Sequence, residues 1–192
     1  MFAMLKNNQH KPLPTKIPER IAYGAGDFAS CILYASVTTF LMYYYTEFAK
    51  VDVAIVATLM AASRFFDGFS DILMGHLIER TKSAYGKARV WILRMLIPYI
   101  LGGTLLFAVP TWASDTVKYI YIFLTYNFAI TVVYTAINLP YGALNTMMTQ
   151  DNYERSVIVI YRMILASGGA IFVSLVTMPL VRFFGNDAHA WT

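Results

Sequence analysis

Apolar residues run along this chain without alternation, broken by short polar segments. Five such stretches follow one another, at roughly 21–46, 53–78, 90–110, 118–146 and 157–184. Each reaches the length of about 20 largely apolar residues that a helix needs to cross a bilayer. A backbone in hydrocarbon must satisfy its own hydrogen bonds, which leaves helices or closed barrels. Barrel strands alternate apolar and polar positions, and these runs do not. The pattern therefore predicts an all-α membrane protein with five transmembrane helices. They lie between a polar lead at 1–20 and a tail at 185–192.

Composition sharpens this picture. The 192 residues are 58% hydrophobic and only 14% charged, and the mean hydropathy is +0.53. Soluble domains carry about 25% charged residues, so a soluble enzyme is excluded. The net charge of +4 is no nucleic-acid footprint, because the basic residues sit at span edges. Lys6, Lys11, Lys16 and Arg20 precede the first span; Arg80, Lys82, Lys87 and Arg89 lie between the second and third. The loops 47–52 and 111–118 carry only Lys50 and Lys118. By the positive-inside rule, the N-terminus and the 79–89 loop are expected to be cytoplasmic and the tail extracytoplasmic. This predicts a multi-pass protein of the cell membrane. The first twenty residues show no signal-peptide pattern. The lone Cys31 excludes an internal disulfide and suits ordinary packing.

Charges inside spans carry the chemistry, because each is unfavourable by roughly 2.5–3.5 kcal/mol on insertion scales. The stretch "SRFFDGFSD" places Arg64, Asp67 and Asp71 three and four residues apart, on one helical face that continues to Gly75. One cation beside two acids leaves a local charge near −1, suited to Na⁺ or H⁺. The plainer alternative is a polar cluster that only pins helix packing. Asp27 lies about two turns into span one, and Arg162 is placed similarly in span five. Tyr134, Thr135 and Asn138 precede Pro140 in span four. Together these groups suit a cavity for hydroxyl-rich ligands, although each alone fits capping or interhelical contact. The loop "GHLIERTKSAYGKAR" supplies Glu79, Arg80, Gly86 and Lys87, and Arg155 in the inner segment 147–157 is a candidate partner. A charged inner loop of this kind can form a gate.

"YGAGDFAS", "SRFFDGFSD", "GHLIERTKSAYGKAR" and "INLPYGAL" occur in this order over nearly the whole chain. They resemble the glycoside–pentoside–hexuronide:cation symporters, a melibiose permease-like family of the major facilitator superfamily. The resemblance implies that Asp67 and Asp71 hold the coupling cation, Na⁺ or H⁺, with Thr135 near it. It implies that Asp27, Tyr134, Asn138 and Arg162 face a sugar, that Arg64 supports the site, and that Gly75, Glu79, Arg80, Gly86, Lys87 and Arg155 form a cytoplasmic gate. No other cofactor or metal is implied beyond a Na⁺ at Asp67 and Asp71. The partners are a small sugar, the cation and membrane lipid, without nucleic acid. Asn138 stands where melibiose permease has an acid, which makes H⁺ coupling more plausible.

Family members carry about twelve spans. The five found here correspond to most of the N-terminal six-helix half of a major facilitator fold. The expectation is an N-terminal part that does not transport alone: a truncated product, a gene fragment or one piece of a split carrier lacking its C-terminal half. Two rival readings are a non-transporting membrane interaction protein and an intramembrane Mg²⁺-dependent prenyltransferase. The latter needs a second acidic motif in the spans, which the sequence lacks, and Arg64 would compete with its metal.

Overall fold

The computed structural model describes residues 15–84, 86–185 and 187–191. Lys6, Lys11 and the rest of the lead up to residue 14, and Thr192 at the end of the tail, lie outside these described residues. The described residues form helices and connecting turns, with no strand among them. Five helices are long and apolar enough to span a bilayer. They are α1 (Ile17–Glu47), α2 (Val53–Arg80), α3 (Lys87–Leu106), α4 (Asp115–Met148) and α5 (Asn152–Phe183). A short 3₁₀ turn, Ala188–Trp191, follows.

Two of the spanning helices, α2 and α5, begin where an aspartate satisfies one of their first N–H groups. Asp52 accepts from the Ala54 N–H at 2.7 Å and starts α2; Asp151 accepts from the Tyr153 N–H at 2.9 Å and starts α5. Before α1, the Lys16 N–H donates to the Glu19 carboxylate at 3.0 Å. Gly86, at φ +88°, turns the chain into α3 through backbone space that favours glycine. Two expectations are corrected by where the helices start. Arg155 lies in the first turn of α5 and not in an inner loop 147–157, because Asp151 caps the helix there. Lys118 belongs to the first turn of α4 and not to a loop. It is buried, donates to the Ala49 carbonyl at 3.1 Å and lies 3.6 Å from Asp115. Pro98, Pro140 and Pro179 are inside α3, α4 and α5.

α1 packs along α5, while α4 packs against both α2 and α3 and is the most enclosed of the five. Lipid is as apolar as leucine, so close contact, and not expulsion of water, holds spanning helices together. The α1–α5 seam shows how: a Cβ on Gly169 would lie 2.9 Å from the Phe28 carbonyl oxygen. The end of the bundle away from the 79–89 loop is filled by Leu41, Tyr44, Tyr45, Val56, Leu106 and Ile122. Two stretches depart from α geometry and wind more widely, as π turns. They are Val37–Leu41 in α1 and Asn127–Tyr134 in α4. The second faces α2 beside its charged stripe.

Candidate functional site

The polar residues inside the bundle gather in two seams. In the first, α2 meets the π stretch of α4. Arg64 donates to Asp67 at 3.3 Å on its own helix, with side chains 65% and 24% exposed respectively. The other Asp67 oxygen accepts from the Thr131 hydroxyl at 2.6 Å. Ser70 donates to the Thr131 carbonyl at 2.7 Å. One turn along, Asn127 donates to the Ser63 hydroxyl at 2.9 Å. Ser63, Asp67 and Ser70 thus form the edge of α2 that α4 covers, and their spacing is that of one helical face. Asp71 lies one turn beyond Asp67 and is exposed. The seam presents an acid that is half-buried, paired on one side and open on the other.

In the second seam, α1 meets α5. Arg162 donates to Asp27 at 2.9 Å, linking helices 135 positions apart in the chain, and the two side chains are 28% and 12% exposed. Tyr141 of α4 closes the group. Its ring lies 5.3 Å from the Arg162 guanidinium, within cation–π range, and it stacks on Tyr23 at 4.7 Å. Tyr23 donates to the Tyr141 carbonyl at 3.1 Å, so α1 and α4 are held together here. Tyr134 stacks on Tyr34 of α1 at 5.2 Å.

The candidate residues divide accordingly. Asp27 and Arg162 are brought together as a direct pair, and Arg64 reaches Asp67 as its spacing predicts. Thr135 is buried one turn past Thr131, and it is Thr131 that donates to Asp67. Asn138 is exposed, although Thr135 one turn before it and Ile137 beside it are buried. Among the gate candidates, Glu79, Arg80 and Lys87 are exposed, without an ion pair among the described residues. Gly75 is half-buried near Leu139. Arg155 donates to the Thr149 carbonyl at 3.3 Å. The acid beside it, Glu154, pairs with Arg20 at 2.7 Å and accepts from the Thr15 hydroxyl at 2.8 Å, which ties the starts of α1 and α5.

Sequence reasoning missed Ser63, Asn127, Thr131, Tyr141 and the Arg20–Glu154 pair. A polar residue every fourth position in an apolar run, at 127, 131 and 135, was the available signal for the first seam.

Ionisable side chains in spanning helices that face one another across a bundle mark ion and substrate pathways. This sets the molecule among membrane transporters. Residues 22–192 match the MFS/sugar transport protein family, and the chain belongs to this family. It is 34% identical over 192 residues to the uncharacterized symporter YnaJ of Bacillus subtilis (strain 168), covering 98% of this chain and 40% of that protein. It is 34% identical over 171 residues to the inner membrane symporter YicJ of Escherichia coli (strain K12), covering 89% of this chain and 37% of YicJ. With the isoprimeverose transporter of Lactiplantibacillus pentosus it shares 32% identity over 177 residues, covering 90% and 36%. The chain thus spans about two fifths of the length of these curated relatives.

Proposed function

We propose that this chain supplies the coupling-cation site and half of the sugar site of a sugar:cation symporter. The observation that carries the proposal is the setting of Asp67. Its carboxylate is paired with Arg64 on its own helix, held by Thr131 across the seam, and left open towards Asp71. Two acids beside one exposed base suit a monovalent cation, Na⁺ or H⁺, with Thr131 fixing the carboxylate and Thr135 nearby. Asp27, Arg162, Tyr134 and Asn138 are assigned to the sugar. An acid and a guanidinium at 2.9 Å offer an acceptor and donors that can exchange with paired hydroxyls, and such groups reject ligands that leave them unpaired. The likeness to an isoprimeverose transporter makes a glycoside the first substrate to try.

In this mechanism, cation binding at Asp67 and Asp71 organises the sugar site through α4, and two half-bundles then rock around it. Gly75, Glu79, Arg80, Gly86, Lys87 and Arg155 would form the gate. The membrane is the cytoplasmic membrane, with the N-terminus inside. Alternating access requires an opposing half-bundle, so the test compares the 192 residues alone with the same residues joined to such a half. Radiolabelled glycoside uptake is measured with and without a Na⁺ or a pH gradient. Gradient-dependent uptake by the joined protein, lost in Asp71→Ala, is expected. Uptake that ignores both gradients, or is indifferent to Asp71→Ala, would sink the proposal.

A further inference from the structure

We propose that the crease between α2 and α3 is a binding site for an anionic phospholipid, with one acyl chain along the crease and the phosphate at Arg80, Lys87 and Arg94. The crease encloses about 520 Å³. Its walls are Phe66, Phe69, Leu73 and Leu77 of α2 and Trp91 and Met95 of α3, and α4 forms the floor. Leu77 and Phe66 are eleven residues apart, a rise of about 16 Å. That is roughly half of a hydrocarbon core about 30 Å thick, the depth of one leaflet. The walls offer a sugar few polar partners, whereas an acyl chain needs none.

Arg80, Lys87 and Arg94 each lie within one helical turn of a residue that lines the crease. Positions 66, 69, 73 and 77 share one face of α2, and Arg80 continues it three residues on. On α3, Lys87 lies one turn before Trp91 and Arg94 one turn after. All three basic side chains are exposed and have no ion pair among the described residues. Arg94 lies about 10 Å inside the start of its helix. A guanidinium at that depth reaches the headgroup level by extending its stem along the apolar wall. Trp91 donates to the Thr81 hydroxyl at 2.9 Å, which anchors the indole at the mouth. Basic pockets between spanning helices recognise anionic headgroups in this way. Three unpaired cations match a net negative lipid and give no preference to a zwitterionic one. The crease shares the floor residues Ser70, Asn127 and Thr131 with the acidic seam, whereas Asp67 and Asp71 themselves lie on the far side of the buried Ser63, Ser70 and Met74 stripe of α2.

The test uses the full chain with Trp112→Phe and Trp191→Phe, so that Trp91 alone emits. It is reconstituted in phosphatidylcholine vesicles containing graded amounts of chain-brominated phosphatidylglycerol or chain-brominated phosphatidylcholine. Trp91 is expected to be quenched at a mole fraction about a hundredfold lower by the anionic lipid. That preference should vanish in Arg80→Gln/Lys87→Gln/Arg94→Gln, since each basic residue near a headgroup contributes about a fivefold preference. It should persist in Lys16→Gln/Arg89→Gln/Arg182→Gln, which removes the same charge elsewhere. Native mass spectrometry of the unsubstituted chain with equal amounts of both lipids gives a readout independent of the tryptophan changes. Retained phosphatidylglycerol, lost only in the first triple variant, supports the site. Equal quenching by both lipids, equal loss in both triples, or no retained phosphatidylglycerol overturns it.

Discussion

Across α1 and α5, Asp27 finds its base on another helix, whereas along α2 Asp67 finds its base on its own helix three residues back. The first pair is mostly buried and spans the interface, so it fixes how two helices sit together. The second is open to one side through an exposed Arg64, so α4 must hold Asp67 with a hydroxyl as well. A compensated charge pair resists change; an under-compensated acid invites a cation. The same bundle thus holds one acid matched by a base across two helices and leaves the other under-compensated.

The sharpest way to break this contrast is at the matched pair. Arg162→Ala leaves Asp27 buried without its base, and is expected to destabilise the chain by about 3 kcal/mol. Thermal unfolding in detergent measures this, and Asp27→Asn/Arg162→Gln should recover most of the loss. If the single variant unfolds like the wild type, the pair does not hold the seam. Next comes Gly169→Val, which drives a side chain towards the Phe28 carbonyl. It should cost about 1–3 kcal/mol and weaken α1–α5 contact, seen as faster protease cleavage. Thr131→Val removes the donor to Asp67 and is expected to cost about 1–2 kcal/mol. Thr131→Ser should restore both stability and the cation dependence of uptake. The smallest effect belongs to Arg64→Gln. An exposed pair within one helix contributes about 0.3–0.5 kcal/mol, so unfolding should hardly move. Cation concentration dependence should shift instead, because the local charge becomes more negative.

The five spans, the span-two stripe and the candidate acids were legible because hydropathy and the 3.6-residue period are local properties. Helix ends were less so. Asn152, Glu154 and Arg155 look like a loop by polarity, yet Asp151 caps them into a first turn. Arg64 beside Asp67 could be read from spacing, but Thr131 could not, since it is 64 positions away. Threonine in an apolar span carries no mark of what it will face. Asp27 and Arg162 were both singled out, and only the packing of α1 on α5 turns two isolated charges into a pair. The placement of Asn138 on the exposed side of α4 likewise depends on how that helix is wound.

The winding of α4 has a mechanical consequence. Its residues touch the acidic seam through Asn127 and Thr131 and the Asp27–Arg162 group through Tyr141. The wide stretch Asn127–Tyr134 carries the first of these contacts and ends two helical turns before Tyr141. An α-helix advances each residue by about 100°, so a stretch of wider turns offsets everything beyond it, as a vernier offsets two scales. The two ends of one rod can therefore be aimed independently. Deleting a single residue of that stretch after Thr131 would tighten it to α geometry and swing Tyr141 away from Arg162 while Thr131 kept its hold on Asp67.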